Sequence, residues 1–253
     1  MENDFDEVVF AQAWPITLCI TWMDRENGNA CSLPSHDNWT IHGIWPNKIG
    51  PTYGPLFCSN SSAFNTSTLE PFRHELEKYW PNIRKGSQHD AFWKYEWQKH
   101  GTCAHTHDSL NTEVKYFGQA LDWSQRYSIS ELLSKSIISP GARYNFTSIH
   151  NAFKSAINVS AVISCASEKN HPSEHQYLHE IRICFSLTLE LVDCHNYLTR
   201  NSSLLGIYTT NCYLGQSIFY PKDLQKHLDG KLSKSIWRII WENLSKSAIW
   251  FRF

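Results

Sequence analysis

No stretch of the 253-residue chain reaches the ~18 consecutive apolar residues that mark a membrane-spanning helix. Charge of one sign is also lacking, since 23 Lys and Arg stand against 24 Asp and Glu, a formal net charge of −1. This balance excludes the broad basic surface with which proteins hold duplex nucleic acid by counterion release, so any polyanion must be bound locally. There is no low-complexity tract and no internal repeat. The first ten residues, MENDFDEVVF, are acidic and carry no apolar signal-peptide core, and the last four, WFRF, are not an endoplasmic-reticulum retention signal. We therefore expect a mature chain. Its eight cysteines contain no CxxC pair.

An even set of cysteines without such pairs reads as an oxidised framework, for which sequence alone permits ~105 connectivities. Asn-x-Ser/Thr tripeptides at Asn38, Asn60, Asn65, Asn145, Asn158, Asn201 and Asn243 point the same way. Any one could arise by chance, but beside eight cysteines they favour the secretory route and a glycosylated protein, secreted or lysosomal. Asn38 abuts a segment that matters for chemistry, where a glycan would crowd the surface.

Two segments carry that chemistry, WTIHGIWPN at residues 39 to 47 and FWKYEWQKHGTC at residues 92 to 103. Good helix formers from Trp93 to Lys99, followed by Gly101, predict a helix in the second. Glu96, Lys99 and His100 then stand at i, i+3 and i+4, one turn after Phe92, on one face. The first segment reads as a strand from Trp39 to Ile44, stopped at Trp45-Pro46. Strand alternation predicts Thr40, His42 and Ile44 on one side. Two imidazoles, a carboxylate and an ammonium at one point suit cleavage of RNA by its own 2'-hydroxyl. One histidine takes the hydroxyl proton and the other gives a proton to the leaving oxygen. Both protonation states coexist near histidine's ordinary pKa of ~6.5. A lysine beside the phosphorane neutralises developing charge. The substrate supplies the nucleophile, so no Ser or Cys nucleophile, metal or other cofactor is required, and DNA should resist.

These two segments closely resemble the active-site segments of the ribonuclease T2 family, which includes the plant self-incompatibility ribonucleases. The resemblance runs from about residue 8 to about residue 221, where IFYP is similar to the family's usual finish. It implies His100 as general base and His42 as general acid, with Glu96 and Lys99 stabilising the transition state. Trp45, Asn47, Tyr53 and Phe92 would line base-binding subsites for single-stranded RNA, where stacking gives little base preference. It further implies disulfides Cys58 with Cys103, Cys165 with Cys212, Cys184 with Cys194, and Cys19 with Cys31.

This chain departs from the family pattern at two positions. Tyr95 stands where many members have a histidine that holds substrate phosphate; its hydroxyl can donate a hydrogen bond but brings no charge. Asn47 replaces an aspartate that helps to read adenine in some members, and an amide offers both donors and an acceptor. A second reading keeps the fold but assigns a secreted binding, signalling or cytotoxic role that does not require cleavage. Retention of His42, Glu96, Lys99 and His100 favours the enzyme; Tyr95 keeps the alternative alive. His100, Cys103, His105 and His107 also contain metal-ligand residue types, but without the paired spacing of zinc modules.

The fold class expected is α+β, an antiparallel sheet flanked by helices, as the resemblance also implies. The pattern predicts strands at Val8–Trp14 and Ile181–Leu191. It predicts helices at Leu69–Tyr79, Glu113–Trp123, Ser130–Ile138 and Ser148–Ile157, the last two with serine caps. Residues 1 to 221 form the expected catalytic domain, and residues 222 to 253 an extension. In that extension Ile236, Trp237, Ile240, Trp241, Leu244 and Ile249 form an apolar stripe among Lys and Arg. This is a helix packed across the domain or one that meets an anionic membrane surface. We expect a monomer.

Overall fold

The computed structural model describes residues 4–35, 38–49, 54–59, 64–167, 176–194 and 210–225. Tyr53, the sequons at Asn60, Asn201 and Asn243, and the extension beyond Gln225 lie outside the described residues.

The elements run β1 (Glu7–Ala13), α1 (Pro15–Met23), β2 (Thr40–Asn47), a 3-10 turn (Thr66–Phe72) and α2 (Arg73–Tyr79). Next come α3 (His89–Lys99), a 3-10 turn (Gly101–Ala104), α4 (Glu113–Arg126), α5 (Ile129–Ser134) and β3 (Arg143–Tyr144). The remainder is α6 (Phe146–Ile157), β4 (Val162–Ser167), β5 (Gln176–Phe185), β6 (Leu191–Val192) and β7 (Ile218–Phe219). The sheet order is β2-β1-β5-β7-β3, with β4 and β6 also paired to β5. The expected α+β fold, an antiparallel sheet flanked by helices, is found; among the named strands only β5 with β7 pair in parallel, which makes the sheet mixed.

The two faces of the sheet have different jobs. On one, Phe10 lies between Ile44 and Ile183 in register, and all three are buried against α4, where Trp123 meets Phe10 at 5.6 Å. Trp123 also stacks on Phe185 at 3.8 Å. On the other face Ala11 lies between Gly43 and Arg182. Val9 on this face is buried with Val162 and Cys184 in a smaller cluster against which Trp45 packs.

Several local expectations are corrected. The strand read as Ile181–Leu191 starts earlier, at Gln176, and ends at Phe185. Residues 186–190 then turn, with Leu189 at φ 60°, before β6. Leu187 and Leu189 continue the alternation by coincidence across a hairpin turn. Pro71 lies within a 3-10 turn, so the helix expected from Leu69 becomes regular only at Arg73. The helix expected to reach Ile138 ends at Ser134, and Ile137 takes φ 59°. Ser128 and Asn145, not Ser130 and Ser148, are the cap residues of α5 and α6. Trp14-Pro15 opens α1, with proline at the first helical position, where its missing N–H costs nothing.

All eight cysteines are paired: Cys19–Cys31, Cys58–Cys103, Cys165–Cys212 and Cys184–Cys194. These are the pairings that the resemblance implies. The sequon asparagines Asn38, Asn65, Asn145 and Asn158 are exposed.

Candidate active site

His42 owes its position to a fault in the β1–β2 ladder. Gln12 pairs with Ile41 and Ala11 with Gly43, so His42 has no partner opposite and forms a β-bulge. Ile41 and Ile44 are both buried in the main core although three residues apart, because His42 and Gly43 are displaced to the other face together. The expected grouping of Thr40, His42 and Ile44 is therefore corrected: alternation fails where a residue is inserted. Gly43 shares the face of His42 and must lack a side chain. A Cβ there would meet Glu96 Oε2 at 2.3 Å and Trp45 Nε1 at 2.4 Å.

From the facing side, α3 presents Glu96 and Lys99 one turn apart, and His100 caps its end. Trp93 and Trp97 fix the helix roll by burial, with the Trp93 indole N–H donating to the Trp80 carbonyl at 2.8 Å. Gly101 follows because a Cβ would strike the Trp97 ring at 2.2 Å, a packing reason rather than a left-handed helix stop. The Cys58–Cys103 bridge closes the turn beyond, and the Phe57 N–H donates to the Lys99 carbonyl at 2.9 Å.

Trp45 stands between the two imidazoles, 5.0 Å from the His42 ring and 5.3 Å from the His100 ring by centroid. Its indole N–H donates to Glu96 Oε2 at 3.1 Å, and the Arg182 guanidinium lies over it at 5.0 Å. The His42 ring also tilts against Phe92 at 6.2 Å. His42, Phe92, Tyr95 and Glu96 line one cleft of about 600 Å³.

His42 is held by a group that sequence reasoning missed. Its Nδ1 bonds Glu180 Oε2, and the other oxygen of that carboxylate accepts from Arg182 Nε at 2.5 Å. Glu180 is 1% exposed, whereas the His42 side chain is 34% exposed. Burial opposes charge on His42, but the adjoining Glu180 carboxylate, by charge and by hydrogen bond, overcomes it, and Glu96 adds to the upward shift. Burial likewise works against ionised Glu180, yet Arg182 and then His42 hold its pKa far below the usual carboxylate range. His100 is shifted the opposite way. Burial, then the Lys99 charge, then His42 push its pKa down to about 2. Its buried Nδ1 has no hydrogen-bond partner among the described residues, which suits a neutral ring. Glu96 is raised by burial, against the pull of His42, Trp45 and Lys99.

The other expected residues are placed unequally. Tyr95 is exposed, with the Lys99 ammonium over its ring at 5.2 Å. Asn47 is buried and its amide donates to Glu7 at 2.7 Å, so that group is already engaged. Cys103 is spent in a disulfide, while His107 bonds the Leu187 carbonyl and the Ser109 N–H. Neither is free to join His105 around a metal. Glu180 and Arg182 were legible only as opposite charges two apart on a strand. Nothing local distinguishes a face turned to water from one turned to a cleft.

Similarity to known proteins agrees with this arrangement. The chain is 34% identical over 222 residues to Ribonuclease Oy of Magallana gigas, covering 87% of this chain and 97% of that one. It is 32% identical over 188 residues to Extracellular ribonuclease LE of Solanum lycopersicum, covering 72% and 76%. Among solved structures, RNase NT in complex with 5'-AMP superposes with a TM-score of 0.68 at 26% identity, covering 86% of this chain and 98% of that one. The Ribonuclease T2 family model matches residues 5–194, a span that holds both histidines, the α3 carboxylate and lysine, and the strand bearing Glu180. By sequence, by fold and by the segments that build its cleft, the chain belongs to the Ribonuclease T2 family.

Proposed function

We infer that the protein is an endoribonuclease that cleaves single-stranded RNA by transphosphorylation with little base preference. One observation carries the mechanism: two imidazoles flank one tryptophan, and their surroundings polarise them oppositely. His100, kept neutral, accepts the 2'-hydroxyl proton as that oxygen attacks phosphorus. The bond from phosphorus to the 5'-oxygen breaks, and His42 delivers its proton to the departing oxygen. With Nδ1 committed to Glu180, Nε2 is the nitrogen of His42 that faces the cleft. Lys99 neutralises charge on the phosphorane, and Glu96, with its raised pKa, can offer a hydrogen bond. The 2',3'-cyclic phosphate then undergoes slower hydrolysis to a 3'-phosphate, with the histidines exchanging roles.

Trp45 and Phe92 supply stacking faces, and such stacking is tolerant of sequence. Tyr95 adds no charge where a family histidine would, so we expect weaker substrate binding and intact chemistry. A secreted, glycosylated monomer is the form we propose. Four disulfides and four exposed sequon asparagines support the secretory part, as does a relative named extracellular. Contact between the extension and a membrane surface remains a proposal from sequence.

The deciding experiment compares matched RNA and DNA oligonucleotides at mildly acid pH in chelator, with the native protein and a His100→Ala variant. Cyclic phosphate ends from RNA alone, lost in the variant, are expected. Intact RNA after incubation with the native protein would refute the reading.

A further inference from the structure

The cleft that begins at His42 does not end at the reacting groups. It runs on to Trp22, Arg25 and Arg84, a wall assembled from the end of α1 and the segment before α3. Cys31 and Arg84 form an antiparallel bridge, flanked by Ser32 N–H to the Ile83 carbonyl at 2.8 Å and Lys85 N–H to the Ala30 carbonyl at 3.0 Å. The Cys19–Cys31 disulfide ties this wall to α1. The Arg84 guanidinium lies 4.4 Å from the Trp22 ring centroid, an arrangement that holds the plane while leaving its edge N–H groups free to donate. Arg25 and Arg84 are exposed, and among the described residues no carboxylate pairs with either. By contrast Arg73, Arg126 and Arg182 each hold one. Two uncommitted guanidinium groups at one end of a cleft stand out in a chain of net charge −1.

The chemistry fixes which part of the substrate lies there. His42 protonates the departing 5'-oxygen, so the leaving nucleoside sits on the His42 side of phosphorus, and this cleft receives it. In a polynucleotide that nucleoside carries a phosphate on its 3'-oxygen, the next anion along the strand. We propose that Arg25 and Arg84 form a second phosphate subsite that binds the phosphate 3' to the leaving nucleoside. The enzyme then favours a continuing chain over a dinucleotide. The proposal rests on the ribonuclease reading, and guanidinium forks suit phosphate oxygens.

The test compares kcat/KM for a dinucleoside monophosphate and for the same dinucleotide bearing a 3'-phosphate, at low salt. The native protein should favour the phosphorylated substrate by about fivefold, as partly exposed charge pairs allow. That ratio should fall towards one with added salt and in the Arg25→Ala/Arg84→Ala variant, whereas Arg126→Ala, which removes a cation elsewhere, should preserve it. A native ratio of one, a ratio indifferent to salt, or a ratio that survives the double substitution would overturn the proposal. Failure of the native protein to cleave either substrate would instead overturn the ribonuclease reading beneath it.

Discussion

In the proposed mechanism Glu180 sets the pH range over which His42 can serve as an acid. Its carboxylate raises the His42 pKa, so His42 stays protonated further above 6.5 than an isolated imidazole would. Glu180→Gln keeps an acceptor for Nδ1 but removes the charge. The alkaline limb of the pH profile of kcat/KM should move to lower pH, with activity at pH 7 down by about tenfold and a smaller loss in acid, within the span of general acid catalysis. An unmoved alkaline limb would reduce Glu180 to a structural role. Gly43 offers a second test, because an added methyl must displace both Glu96 Oε2 and the Trp45 indole nitrogen. Gly43→Ala should lower kcat by about a hundredfold, the cost of a displacement of about 1 Å among catalytic groups. A thermal melt should show the protein still folded, at a cost of about 1 to 3 kcal/mol from overpacking.

Elements differed in how far the sequence disclosed them, and the difference has a physical cause. The spacing of Glu96, Lys99 and His100 was legible because one helix supplies all three, and helical geometry is local. The facing of His42 was not, since the bulge exists only through pairing with β1, a long-range event. Glu180 was hidden likewise, by the burial of its strand face beneath a cleft that other elements build. Leu187 and Leu189 misled because apolar alternation passed through a turn that Leu189 enters at φ 60°. Between the two catalytic elements the Cys58–Cys103 bridge, with a sequence separation of 45, secures the end of α3. Replacing both cysteines by alanine should destabilise the protein by about 4 kcal/mol on the chain-entropy model. Denaturant unfolding would measure that loss, and activity should fall alongside as the Lys99–His100 end of α3 loosens.

For the molecule as a whole, the same buried groups govern acid tolerance. His100 titrates at about 2 in the folded protein against 6.5 ordinarily, so below about pH 6.5 the unfolded chain takes up a proton that the folded one refuses. His179, lowered chiefly by burial, acts in the same sense. His42 has the opposite sign: its contribution is complete below 6.5 and is lost as pH rises through its raised value. Glu180 contributes above its ordinary 4.5 and fails only in stronger acid, as pH falls through its depressed folded value. The unfolding free energy should thus peak near pH 6.5 and decline towards 4.5, and a His100→Asn variant should show a shallower decline, measurable by urea titration at several pH values. Finally, β2 lies at the edge of the sheet, where a strand with unpaired backbone groups can recruit a strand from another molecule. The Tyr116 hydroxyl, carried on α4, donates to the Ile44 carbonyl at 2.7 Å and accepts from the Ile44 N–H at 3.4 Å. A single phenol thereby occupies both backbone groups of Ile44 on that edge, so the strand that carries His42 offers no continuous ladder for self-association.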